Sequence, residues 1–77
     1  MQVQFELTDL FCGEANYSWV KRGTIDVPEN ATDRYIMRQV KRELDITGIR
    51  CRVNRIGDTW KFRPSGSLCI GFVYFSF

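Results

Sequence analysis

Chemistry needs nucleophiles, acid–base pairs or metal ligands at workable spacings, and this chain supplies few. It has no histidine, so imidazole acid–base catalysis and histidine metal sites are excluded. The three cysteines, Cys12, Cys51 and Cys69, include no C-x-x-C pair and make an odd number. That is too few thiols for a tetrahedral zinc site and the wrong parity for a disulfide framework. They read as reduced thiols, with Cys51 and Cys69 mostly buried and Cys12 in a loop. A cysteine nucleophile wants a base beside it, and none is evident. Asp26, Glu29 and Asp33 gather where a helix begins, and capping and solvation account for them. There is no glycine-rich phosphate loop. The sequence predicts a non-enzymatic protein without cofactor or metal.

The residues that remain are cationic. Eleven Lys and Arg face nine Asp and Glu, for a net charge of +2, and the cations fall in two groups. Arg50, Arg52, Lys61 and Arg63 lie around Gly57-Asp58, a pair suited to a two-residue type II′ turn. With that turn, Ile56 faces Thr59, Arg55 faces Trp60, Asn54 faces Lys61, Val53 faces Phe62 and Arg52 faces Arg63. Arg52, Asn54, Lys61 and Arg63 then share one sheet face, with Arg50 continuing the row, while Cys51, Val53, Trp60 and Phe62 point to the core. Like charges directly opposite are unfavourable, so the row is a candidate contact face for an anionic partner unless Glu6 or Asp26 neutralises it or water simply solvates it. The second group, Arg34, Arg38, Lys41 and Arg42, occupies one side of a predicted helix, where Asp45 is an i+4 ion-pair candidate for Lys41.

Positioning these groups takes one small domain, residues 1–77. Val3, Phe5 and Leu7 alternate with polar residues and predict a strand. Asp9 to Asn16 reads as a connection, and Tyr17 to Val27 as a second strand ended by Pro28, with Gly23 marking a bulge or a close approach of backbone. The helix follows, capped by Asn30 or Thr32, with Ile36, Val40 and Leu44 forming an apolar stripe beside Met37 and Gly48 stopping it. Strands at Ile49–Ile56, Thr59–Arg63 and Leu68–Phe77 complete a β-β-α-β-β-β order. The predicted fold is α+β: a mainly antiparallel sheet of four to five strands with one amphipathic helix on a face.

Two surfaces of this fold bear on partners. The last strand is apolar on both sides, with Phe72 and Tyr74 facing one way and Val73, Phe75 and Phe77 the other, which suggests Phe75 and Phe77 for self-association as a homodimer. Single-stranded nucleic acid would call for aromatics among the basic residues of the sheet, and Trp19, Trp60, Tyr74 and Tyr17 are the candidates, of which Trp60 falls on the core face with Val53 and Phe62. Against nucleic acid, the two basic groups fall on opposite sides of the molecule and form no continuous groove. No apolar run reaches the ~18 residues of a membrane span, and the start of the sequence has no basic stretch leading into an apolar one. These features predict a cytoplasmic protein with no membrane partner.

Tyr17-Ser18-Trp19, Asp33-Arg34, Arg38, Lys41, Thr47-Gly48-Ile49-Arg50-Cys51-Arg52, Gly57-Asp58, Arg63-Pro64-Ser65-Gly66 and Phe72-Val73 together resemble a group of small proteins from tailed phages and prophages. The resemblance runs from Tyr17 through most of the chain. It implies a phage-encoded protein in the host cytoplasm that acts by binding a host macromolecule; to anti-CRISPR proteins the likeness is one of size and compactness only. A small nucleic-acid-binding protein using the basic sheet face is the alternative, and a minor virion or assembly component is a third.

Overall fold

A computed structural model describes residues 1–75. Its elements are β1 (Gln2–Phe11), β2 (Glu14–Asp26), α1 (Asp33–Glu43), β3 (Cys51–Ile56), β4 (Thr59–Pro64) and β5 (Cys69–Phe75). The fold is α+β. The five strands form one antiparallel sheet in the order β2-β1-β5-β4-β3. Two hairpins, β1–β2 and β3–β4, are joined edge to edge only by β5.

The period-2 alternation sorts side chains between the faces. Val3, Phe5 and Leu7 of β1, Trp60 and Phe62 of β4 and Val73 of β5 turn to one face. There they meet Val27 and the helix residues Ile36, Val40 and Leu44 in a single core. Two glycines make room for core rings. Phe5 lies across from Gly23 and Phe62 across from Gly71, and a Cβ at Gly71 would stand 2.0 Å from the Phe62 ring. Gly23 is therefore a place of close approach, the second of its two predicted roles.

The helix starts at Thr32, whose Oγ1 accepts the Tyr35 N–H at 3.1 Å. Its end differs from the predicted stop at Gly48. Asp45 takes the left-handed conformation (φ 60°), the Asp45 N–H donates to Arg42 O and the Ile46 N–H donates to Lys41 O. This is a Schellman cap with aspartate where glycine is usual, a substitution that short polar residues tolerate. Gly48 (φ 86°) serves the following turn. Because Asp45 has left the helical path, it forms no ion pair with Lys41.

The first hairpin also differs from expectation. Residues 9–16 are not a loose connection: β1 continues to Phe11 and turns tightly through Cys12 and Gly13, both at positive φ. Pairing passes from Thr8↔Val20 to Leu10↔Ala15, so the segment from Asn16 to Trp19 bulges out opposite Asp9 alone. Tyr17 is left-handed within it (φ 56°). Side chains of β1 satisfy the displaced backbone. Thr8 Oγ1 accepts the Tyr17 N–H at 3.0 Å and donates to Trp19 O at 2.9 Å, and the Asp9 carboxylate accepts from the Ser18 N–H, the Ser18 hydroxyl and the Asn16 amide. The Ser18 and Asn16 hydrogen bonds hold the Asp9 carboxyl well below the ordinary carboxylate range.

Candidate interaction surface

The helix packs on one face of the sheet but leaves its β3 edge open, so Val53, expected in the core, is exposed there. The other face carries the alternate residues of every strand, and among the described residues no helix packs on it. The β3–β4 register is the predicted one, residue for residue: Arg52↔Arg63, Asn54↔Lys61 and Arg55↔Trp60 flank the turn at Gly57 (φ 59°). Arg52 and Arg63 are exposed on the open face, and Lys61 is half-buried where its stem lies beside Phe72 of β5. Arg50 stands just before β3, exposed, with its carbonyl accepting the Ser65 N–H. Both ion pairs of the described residues lie elsewhere, Arg22 with Glu6 and Arg55 with Asp33, so no acid among these residues neutralises the row. Glu6 is two strands from β4 and Asp26 is on the far edge strand β2.

Next to the cations the open face is aromatic. Phe72 and Tyr74 stack on β5, the central strand, with centroids 6.3 Å apart and planes 21° from parallel. The Tyr74 hydroxyl donates to Glu6 Oε1 at 2.8 Å, and Arg22 stands 3.8 Å from Glu6 Oε2. Glu6 is only 7% exposed and lies at the middle of this face. Burial, and then the hydrogen bond to Glu6, raise the Tyr74 phenol well above the ordinary tyrosine value; Tyr17, carried in on the bulge, is raised by the same two causes. A hollow of about 290 Å³ opens here between Gln4, Glu6, Arg22, Thr24 and Tyr74. Ile56, Val20 and Tyr17 add exposed apolar surface. Trp60, by contrast, is core, stacked under Arg55 with 5.1 Å from guanidinium carbon to ring centroid.

The second basic group lies on the opposite side of the molecule, as expected from a helix whose apolar stripe faces the sheet. Arg34, Arg38, Lys41 and Arg42 line a hollow of about 420 Å³ with the turn after the helix. The structure keeps the two groups apart, and they form no common groove.

Phe75, expected to serve self-association, is half-buried. Its ring turns to the helix side and packs edge-on against Trp60 at 4.7 Å. Phe77 lies outside the described residues. The three cysteines are free, Cys12 exposed and Cys51 and Cys69 half-buried rather than mostly buried. Burial pushes the Cys51 thiol up, opposed by the charge of Lys41. Among the described residues no cluster of side chains is arranged to hold a metal ion, and no helix is long and apolar enough to cross a membrane.

Two parts of this surface are invisible in the sequence. Glu6 reads as a solvent-facing partner of Phe5, because nothing in one strand reveals that Tyr74, 68 positions away, covers it. The bulge that brings in Tyr17 is hidden for a similar reason: its backbone is satisfied by Thr8 and Asp9 of the neighbouring strand. Compared with known protein families, curated proteins and solved structures, the chain finds no significant match in any of the three.

Proposed function

We propose that this chain is a non-enzymatic binding protein that uses the open sheet face to occupy the surface of another protein. One observation carries the reading. A face left uncovered by the fold places Phe72 and Tyr74 at its centre, with Arg22, Arg52, Lys61 and Arg63 around them. Aromatics and arginines are the residue types that dominate binding energy at protein interfaces. Arg52, Lys61 and Arg63, which have no ion-pair partner among the described residues, add a preference for an acidic partner surface, acting mainly on association rate and specificity. The resemblance to small phage proteins agrees with a host protein as the target.

Single-stranded nucleic acid is the second reading, favoured by the aromatic stack lying directly beside Lys61. It ranks lower because Glu6 places a carboxylate amid the aromatics, where a phosphate chain would have to pass, and because the other basic group is out of reach on the far side.

The test compares the tagged parent with Arg52→Glu/Lys61→Glu in pulldowns from host lysate, with and without nuclease. The proposed function predicts one protein recovered in both treatments by the parent and lost by the variant. Recovery that vanishes with nuclease, and falls steeply with salt, would replace it with the nucleic-acid reading. Equal recovery by parent and variant would refute the open face as the contact surface.

A further inference from the structure

The helix side of the molecule carries a feature that the open-face reading does not use. Arg34, Arg38, Lys41 and Arg42 fall within an arc of roughly 100° on α1 at 3.6 residues per turn. Arg34–Arg38 and Arg38–Arg42 are i,i+4 pairs of like charge and Arg38–Lys41 an i,i+3 pair, arrangements that destabilise a helix when nothing offsets them. The described residues provide no offset: Asp33 is engaged by Arg55, and Asp45 has turned off the helix at its Schellman cap. The helix dipole favours Lys41 and Arg42 in the last turn, but it disfavours Arg34 in the first. Arg34 and Arg38 have no ion-pair partner among the described residues.

The four side chains also enclose space. With Met37 between them they line the hollow of about 420 Å³, whose far wall is the turn at Thr47 and Gly48 and whose lining contains no acidic residue. Among the described residues neither the Thr47 nor the Gly48 N–H donates to a backbone carbonyl. Three guanidiniums and an ammonium around a concave surface match the tetrahedral, multiply charged oxygens of phosphate better than any neutral ligand.

We propose that this hollow is a binding site for a soluble phosphoryl-rich anion, a small ligand carrying two or more phosphate groups. Binding relieves the like-charge crowding on α1, so the ligand stabilises the folded chain as well as occupying it. The site is separate from the sheet face, and either stands without the other.

The probe is inorganic triphosphate, titrated into the whole protein at low salt and followed by calorimetry and by amide chemical shifts. The expected result is saturable one-to-one binding, with shifts concentrated in residues 34–48 and a raised Tm. Arg38→Gln/Lys41→Gln weakens it by about tenfold or more, as loss of charge-assisted hydrogen bonds requires, while Arg52→Gln/Arg63→Gln changes it by less than about twofold. If the first variant does not fold, Arg34→Gln/Arg42→Gln replaces it. Absence of saturation at millimolar triphosphate would overturn the proposal. So would equal losses in the helix and sheet variants, which would mean general charge attraction.

Discussion

Gly71 sits on the central strand directly across from Phe62, and replacing it with alanine tests the packing of the whole sheet. The added Cβ would lie 2.0 Å from the far carbon of the Phe62 ring and 2.4 Å from its two neighbours. Phe62 is fully buried, so the ring cannot swing into solvent. Either the ring leaves its rotamer or β4 and β5 move apart. Overpacking of this kind costs about 1–3 kcal/mol, and at so close an approach the upper part of that range applies. Alanine's lower chain entropy when unfolded returns only ~0.4–1 kcal/mol. The net expectation is a loss of about 2 kcal/mol, or roughly 8–16 °C in Tm for a domain of this size. Urea denaturation monitored by tryptophan fluorescence gives the free energy directly. A second substitution checks the cause: with Phe62→Leu the space reopens, so Gly71→Ala/Phe62→Leu should be more stable than the sum of the single losses, by about 1 kcal/mol. A Gly71→Ala protein within ~0.5 kcal/mol of the parent, or strictly additive losses, would refute the placement of this glycine under the ring.

Three further outcomes are expected from the same structure. Tyr74→Phe deletes the hydrogen bond to nearly buried Glu6 and should lower stability by about 1–2 kcal/mol in denaturant titrations at pH 7, with no loss of secondary structure by circular dichroism. Asp9 has a folded-state pKa below its unfolded value, so its contribution is complete above the ordinary carboxylate value of 3.8 and is lost as pH falls through the lower folded value; Asp9→Asn should flatten the acid limb of a Tm-against-pH curve. Alkylation with iodoacetamide followed by mass spectrometry should modify exposed Cys12 well before half-buried Cys51, whose thiol is also shifted away from thiolate.

Much of the fold is legible in the sequence because its signals are local. Alternation marks Val3, Phe5 and Leu7 as an inward row, Gly57-Asp58 sets the register of its hairpin to the residue, and the spacing of Ile36, Val40 and Leu44 places the helix stripe. Expectation and structure part where a residue's conformation depends on distant or unusual partners. Asp45 does not read as a helix stop, because glycine three positions later is the commoner choice. Residues 9–16 resemble a loop because Gly13 and Asn16 are turn formers, whereas Thr8 and Asp9 reach across to accept the Tyr17 and Ser18 N–H groups. Both basic groups of the candidate surfaces are visible as charge. Their surroundings are not: the aromatic stack and Glu6 beside one, the enclosing turn beside the other, are products of tertiary contact.

The position of β5 has a consequence for how the chain is made. Translation delivers two hairpins and a helix before it delivers Cys69–Phe75, and the inner edges of those hairpins, β1 and β4, have no partner except that strand. Until β5 is in place each hairpin presents an open hydrogen-bonding edge, the state in which strands recruit the wrong neighbour. A synthetic peptide spanning β5, supplied in trans to a chain lacking it, would have to draw the two hairpins together rather than fill a ready-made gap, because β5 alone joins their edges.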